Sequence, residues 1–194
     1  MIIYLHGFRS APTSVKSTAL RRHMEARGLA SAFWCEQLPV SPAAAISLIE
    51  ERIDRCRRES EHAPTLVGSS LGGFYATWLA EKHDLKAVLV NPAVVAPVSL
   101  EAWIGPQDNL YTGERFDFTR THIDELRALD LSHLERPQRF WLLVETGDEV
   151  LDYRDAVRRY AGARQTVLEG GDHGFSHWND YLDEILAFAG ISQL

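Results

Sequence analysis

Three residues in this 194-residue chain have types and an order that could support nucleophilic chemistry: Ser70, Asp148 and His173. Ser70 is the centre of Gly68-Ser69-Ser70-Leu71-Gly72, a G-x-S-x-G pattern with Gly73 beyond it. A serine hydroxyl is a weak nucleophile until a base takes its proton and a third group orients that base. Asp148, in Thr146-Gly147-Asp148-Glu149-Val150, supplies a carboxylate directly after an apolar run. His173, in Glu169-Gly170-Gly171-Asp172-His173-Gly174, supplies an imidazole in a loop with the freedom to bend. The chain order Ser…Asp…His is one in which such triads occur on α/β sheets.

Each residue has a competing reading. The glycines around Ser70 could cradle a phosphate or simply let a helix and a strand pack closely, although G-x-G-x-x-G with an acid about 20 residues on is missing. Asp148 could be only a turn residue after Gly147, and Asp152 is the rival acid, with Glu149 also in reach. His173 and His177 have i, i+4 spacing but no HExxH glutamate or cysteine partner, so no metal site is expected. Near the N-terminus, His6-Gly7-Phe8 follows an apolar run. A turn of this kind places a backbone N–H, here that of Phe8, beside the N–H of Leu71 to receive an oxyanion. His6 reads as a structural hydrogen-bonder.

Short apolar runs alternating with helical patterns must position these residues. Ile2–Leu5, Ala30–Cys35, Thr65–Val67, Lys86–Val90, Arg139–Glu145 and Gln165–Leu168 read as strands. Ser14–Arg27, stopping at Gly28, reads as a helix, as do Leu71–Lys82, Tyr153–Tyr160 and His177–Ala189. Ser41 and Pro42 open another, with Ala45, Ile49, Ile53 and Cys56 at helical spacing. This alternation predicts an α/β fold with a parallel sheet covered on both faces, in one domain spanning 1–194. Residues 91–136 are too long for an ordinary connection and read as an inserted lid or cap. Its aromatics Trp103, Tyr111, Phe116 and Phe118, with Arg9, are candidates for a substrate pocket, or form the lid's own small core.

Composition narrows the partners. With 20 Lys+Arg against 27 Asp+Glu the net charge is −7, so a broad basic footprint for nucleic acid is absent. Arg55, Arg57 and Arg58 read as a solvated helix face. Two cysteines without zinc-like spacing suit a reducing compartment. No signal peptide or membrane span is expected, and a cytoplasmic location follows as an expectation.

The set His6-Gly7-Phe8, Gly68–Gly73, Val90-Asn91-Pro92-Ala93, Tyr111-Thr112-Gly113, Thr146–Tyr153 and Glu169–His173 resembles the bacterial YqiA-like esterases over nearly the whole chain. The resemblance implies a minimal α/β-hydrolase fold of about six mostly parallel strands with helices on both faces and a short lid, lacking the superfamily's first two strands. It also implies carboxylic-ester hydrolysis by Ser70, Asp148 and His173 through an acyl-enzyme, without a cofactor or metal. Arg9 stands where the family commonly has Asn after the His-Gly-Phe turn. Two alternatives stay open: an acyl-CoA thioesterase, with Arg9 near phosphates, and a non-catalytic binding protein using the same pocket. A small-molecule ester or thioester is the expected partner; oligomeric state is not legible.

Overall fold

The computed structural model describes residues 1–60 and 62–191; the remaining positions of the expected 1–194 domain lie outside them. Six strands form one parallel sheet: β1 (Ile2–Leu5), β2 (Phe33–Trp34), β3 (Thr65–Ser69), β4 (Lys86–Val90), β7 (Phe140–Glu145) and β8 (Arg164–Leu168), ordered β2-β1-β3-β4-β7-β8. A separate antiparallel hairpin pairs β5 (Gly105–Asp108) with β6 (Arg115–Phe118). The helices are α1 (Val15–Glu25), α2 (Pro42–Glu59), α3 (Leu71–His83), α4 (Ala96–Ser99), α5 (Arg120–Ala128), α6 (Tyr153–Arg159) and α7 (Leu182–Phe188). This is the minimal α/β-hydrolase fold, and every neighbouring pair in the main sheet is parallel.

Strand periodicity divides the core into two layers. Ile3, Leu5, Leu66, Leu89, Leu142 and Val144 point to the face covered by α2, α3, α5 and α6. Ile2, Tyr4, Val67, Val88, Trp141 and Leu143 point to the face covered by α1 and α7. Residues alternate because successive strand side chains leave on opposite faces. With both faces covered, all four residues of β1 are buried, so the strand reads as a continuous apolar run rather than an alternating one.

Two sequence-based expectations need correction. The strand expected over Ala30–Cys35 is a 3-10 turn at Ala30–Ala32 and only two strand residues, paired to Ile2 and Ile3. The cause is upstream: α1 closes with Leu29 N–H on Met24 O (2.9 Å) and Gly28 N–H on Glu25 O (3.0 Å), a Schellman motif around Gly28, whose φ is +72°. The chain therefore reaches the sheet edge late. The helix expected over His177–Ala189 begins as a 3-10 turn, Trp178–Tyr181, before α7. The N–H groups of Ser176 and His177, just upstream, are drawn to a side chain from β7 instead.

The 91–136 interval has two parts. Helix α5 docks on α2, with Ile123 and Leu126 fully buried and Glu125 Oε2 accepting the Ala43 N–H (3.1 Å) and Ser41 O–H (2.8 Å) at the start of α2. The hairpin turn after β5 instead abuts the segment after β1. There Asn109 Nδ2 donates to Ser10 O (2.8 Å) and Leu110 N–H to Arg9 O (2.9 Å). Within this turn Asn109 Oδ1 accepts the N–H groups of Tyr111 and Thr112, and Gly113 takes φ +71°.

Candidate active site

A parallel sheet sends every strand's C-terminal end to one edge, and the candidate residues follow those ends. Leu5 pairs with Gly68, Ser69 with Val90, Val90 with Leu143, and Glu145 with Leu168. His6-Gly7-Phe8, Ser70, Asn91, Asp148 and His173 therefore all emerge at the same rim.

Ser70 sits on the turn between β3 and α3 with φ 53° and ψ −121°, a conformation that costs an L-residue about 1–3 kcal/mol. The surroundings fix it. Its N–H donates to Val90 O (3.1 Å), and its C=O accepts from Gly73 (2.9 Å) and Ala93 (3.1 Å). Small residues are required sterically: a side chain at Gly68 would overlap the Gly72 backbone, and one at Gly72 would overlap Leu5 O. A Cβ at Gly73 would lie 2.7 Å from Pro92 Cβ.

His173 Nε2 lies 3.2 Å from Ser70 Oγ, and its Nδ1 donates to Asp148 at 2.8 Å (Oδ2) and 3.0 Å (Oδ1). The Asp148 side chain is only 2% exposed, and Oδ1 also accepts the N–H groups of Val150 and Leu151 (2.9 Å each). This Asx-type turn holds the carboxylate toward the imidazole. The other acids take different places. Asp152 is the N-cap of α6, accepting Arg154 N–H at 2.9 Å, and Glu149 Oε2 accepts the backbone N–H of His173 at 3.0 Å.

Beside Ser70 runs the turn after β1, so close that a Cβ on Gly7 would be 3.7 Å from Ser70 Oγ. Among the described residues, neither the Phe8 N–H nor the Leu71 N–H has a protein acceptor. Leu71 opens α3, where the aligned peptide dipoles favour negative charge. His6 is buried and bonded at both nitrogens: Nδ1 to Gly7 O (3.0 Å), and Nε2 accepting from Leu38 N–H (3.1 Å). That pattern requires the neutral Nδ1–H form, and burial lowers the ring's pKa to match.

A cleft of about 440 Å³ opens over Ser70 and His173, walled by Tyr4, Arg9, Lys16, Leu110, Tyr111 and Trp178 among others. Burial lowers the Lys16 pKa, and Asp172, Asp148 and Glu145 oppose that shift. Of the aromatics expected to line a pocket, Tyr111 walls this cleft and Phe116 a neighbouring hollow of about 240 Å³. Phe118 follows the alternative, packing inside the segment: it is 1% exposed and edge-on to Phe8 at 4.9 Å, with the His122 ring of α5 at 5.3 Å. Trp103 stands outside the cleft, edge-on to Phe8 at 6.2 Å and beneath the Arg9 guanidinium at 5.3 Å.

Two residues at the rim were not singled out from the sequence as site residues. Asn91 and Glu145, both buried, bond the loop that carries His173. A polar residue at the end of an apolar strand is the signal they share, one common to helix caps and turns, and Asn91 also lies in the Val90–Ala93 motif of the YqiA-like resemblance. Among the described residues no cluster of three or more His, Cys, Asp or Glu could hold a metal, and no helix is long and apolar enough to cross a membrane. Cys35 and Cys56 are both free thiols.

The chain is similar in fold to mouse alpha/beta hydrolase domain-containing protein 10, at 16% identity and TM-score 0.73 over 96% of this chain and 89% of that one. It is similar to the monoacylglycerol lipase of Paleococcus ferrophilus, at 16% identity and TM-score 0.68 over 98% and 94%. In sequence it is 23% identical, over 97% of its length and 98% of the relative's, to a UPF0227 protein of Pectobacterium carotovorum subsp. carotovorum (strain PC1). The model of the uncharacterised protein family UPF0227 matches residues 1–190, so the chain belongs to that family, as its YqiA-like motifs imply.

Proposed function

We propose that this protein is a serine hydrolase of carboxylic esters. The observation that carries the reading is the continuous relay from Ser70 Oγ to His173 Nε2 (3.2 Å) and from His173 Nδ1 to Asp148 Oδ2 (2.8 Å). Ser70 attacks the ester carbonyl while His173 takes its proton, and the N–H groups of Phe8 and Leu71 receive the oxyanion. His173 then gives the proton to the leaving alcohol, freeing it and leaving an acyl-serine. Water, deprotonated by the same imidazole, hydrolyses this intermediate. Asp148 holds the Nδ1–H tautomer and stabilises the imidazolium. Each oxyanion donor contributes about 3–4 kcal/mol to transition-state stability. No step needs a cofactor or metal. The similarity to lipase and hydrolase-domain structures supports the fold that such chemistry uses.

The test pairs turnover with labelling. Purified protein should release p-nitrophenol from p-nitrophenyl butyrate, and an organophosphonate should add to the peptide containing Ser70. Ser70→Ala should abolish both. Turnover undiminished in that variant would sink the mechanism. A binding-only protein would show neither turnover nor adduct. The thioesterase reading keeps one specific support, the two cations Arg9 and Lys16 on the cleft wall. Competition between acyl-CoA and simple esters decides it.

A further inference from the structure

The proposed chemistry leaves one buried charge unused. Glu145 ends β7, three residues before Asp148, and is fully buried. Its side chain crosses into the loop after β8 and collects five donors. Oε2 accepts the N–H groups of Asp172 (2.7 Å) and Ser176 (3.0 Å). Oε1 accepts the Ser176 hydroxyl (3.0 Å), the His177 N–H (3.0 Å) and His177 Nδ1–H (2.7 Å). Gly171, φ +72°, clears the way, since a side chain there would overlap the Glu145 carboxylate.

Asn91 completes the grip from β4. Its Oδ1 accepts the Glu145 N–H (3.1 Å), and its Nδ2 donates to Asp172 O (3.0 Å) and His173 O (3.2 Å). Residues 172–177 are thus tied to the central strands by side chains that reach neither Ser70 nor the imidazole. Main-chain bonds from the sheet stop one step earlier, with Gly147 N–H on Gly170 O (2.7 Å). Beyond that point, side chains replace them: Glu145 and Asn91 from the central strands, and Glu149 Oε2 on the His173 N–H (3.0 Å).

We infer that Glu145 is a positioning residue, which with Asn91 sets the His173 loop at the height where Nε2 meets Ser70 Oγ. Its effect on turnover rests on the ester-hydrolase reading; its effect on the imidazole does not.

Glu145→Gln tests the inference, because the amide turns a donor toward donors while keeping the volume. Expected is a fall in kcat of about 10–100-fold on p-nitrophenyl butyrate with KM unchanged, since a misplaced base slows only the chemical step. The His173 ring-nitrogen resonances, read at one fixed pH in labelled protein, should shift as the imidazole loses its place beside Ser70 Oγ. A purely structural residue would lower the melting temperature and leave kcat of the folded fraction and the ring resonances as in wild type. That result overturns the proposal. If wild type turns over no ester, the hydrolase reading fails alone, and the ring resonances still judge Glu145. If Glu145→Gln does not fold, His177→Ala removes one donor from an exposed ring. It should lower kcat about threefold and displace the His173 resonance, and wild-type behaviour in both again overturns the proposal.

Discussion

Asp148 and His173 meet at 2.8 Å although 25 residues separate them, while Asp152, only four positions from Asp148, turns its carboxylate to the N–H of Arg154. The difference is one of backbone placement. Asp148 lies in the turn that leaves β7, and Asp152 has already become the cap of α6. Asp148→Asn should therefore be severe. Its Oδ1 can still accept from Val150 and Leu151, which forces the amide nitrogen toward His173 Nδ1 and selects the wrong tautomer. A loss of about 10³–10⁴-fold in kcat is expected. Asp152→Asn keeps a good cap and should stay within about twofold of wild type. Steady-state rates of the two variants, measured side by side, decide the assignment. A larger loss at Asp152 would reverse it.

Gly72 and Gly28 are glycines for different reasons, and alanine separates them. At Gly72 the new methyl group would overlap Leu5 O, so helix α3 must shift away from β1. The expected cost is about 1–3 kcal/mol, with activity lost beyond the stability effect because Ser70 moves with the helix. At Gly28 nothing lies within 4 Å of the added Cβ, and only the left-handed φ of +72° opposes it. That costs about 1–2 kcal/mol and should leave kcat unchanged. Denaturant unfolding with kinetics on the folded variants checks both.

The relation between Ser70, Asp148 and His173 was legible because each follows an apolar run, and parallel strands deliver their ends to one rim. Lys86–Val90 was legible to the residue, and α3 to within one residue at its end. What failed to show depends on tertiary contacts. The Schellman closure shortens β2, and the bonds to Glu145 delay α7; neither leaves a periodicity. Phe118 looks like any aromatic of the 91–136 segment until Phe8 is seen beneath it. The roles of Glu145 and Asn91 were least legible, since most of their bonds go to backbone N–H and C=O groups, which impose no residue type on the partner.

Stability in acid should report Glu145. Burial alone would raise its pKa, but the His177 ring and the N–H groups of Asp172, His177 and Ser176 outweigh burial and hold it at about 2, below the ordinary 4.5. A group whose folded pKa is depressed stabilises the fold above its unfolded pKa and loses that contribution as pH falls through the folded value. The Glu145 contribution should therefore be complete above pH 4.5 and decline toward pH 2. Urea midpoints of wild type and Glu145→Gln measured across that range should converge as pH falls. A constant difference between them would show that the carboxylate is not the group titrating.

Arg9 distinguishes two readings of the cleft. Its Nε donates to Asp108 O (2.9 Å), its guanidinium covers Trp103, and its φ of 56° is one that Asn tolerates well. The side chain is thereby committed to bracing the hairpin against the turn after β1. Arg9→Asn keeps the backbone and the Phe8 N–H while removing the brace. A brace predicts a lower melting temperature and a KM that rises for all substrates alike, with the ratio between acyl-CoA and p-nitrophenyl ester held within about twofold. A phosphate contact predicts that KM rises for acyl-CoA alone, because an arginine–phosphate pair stabilises only a substrate that carries the phosphate. The bond to Asp108 and the stack on Trp103 favour the first outcome; the second would move the protein from the ester to the thioester reading.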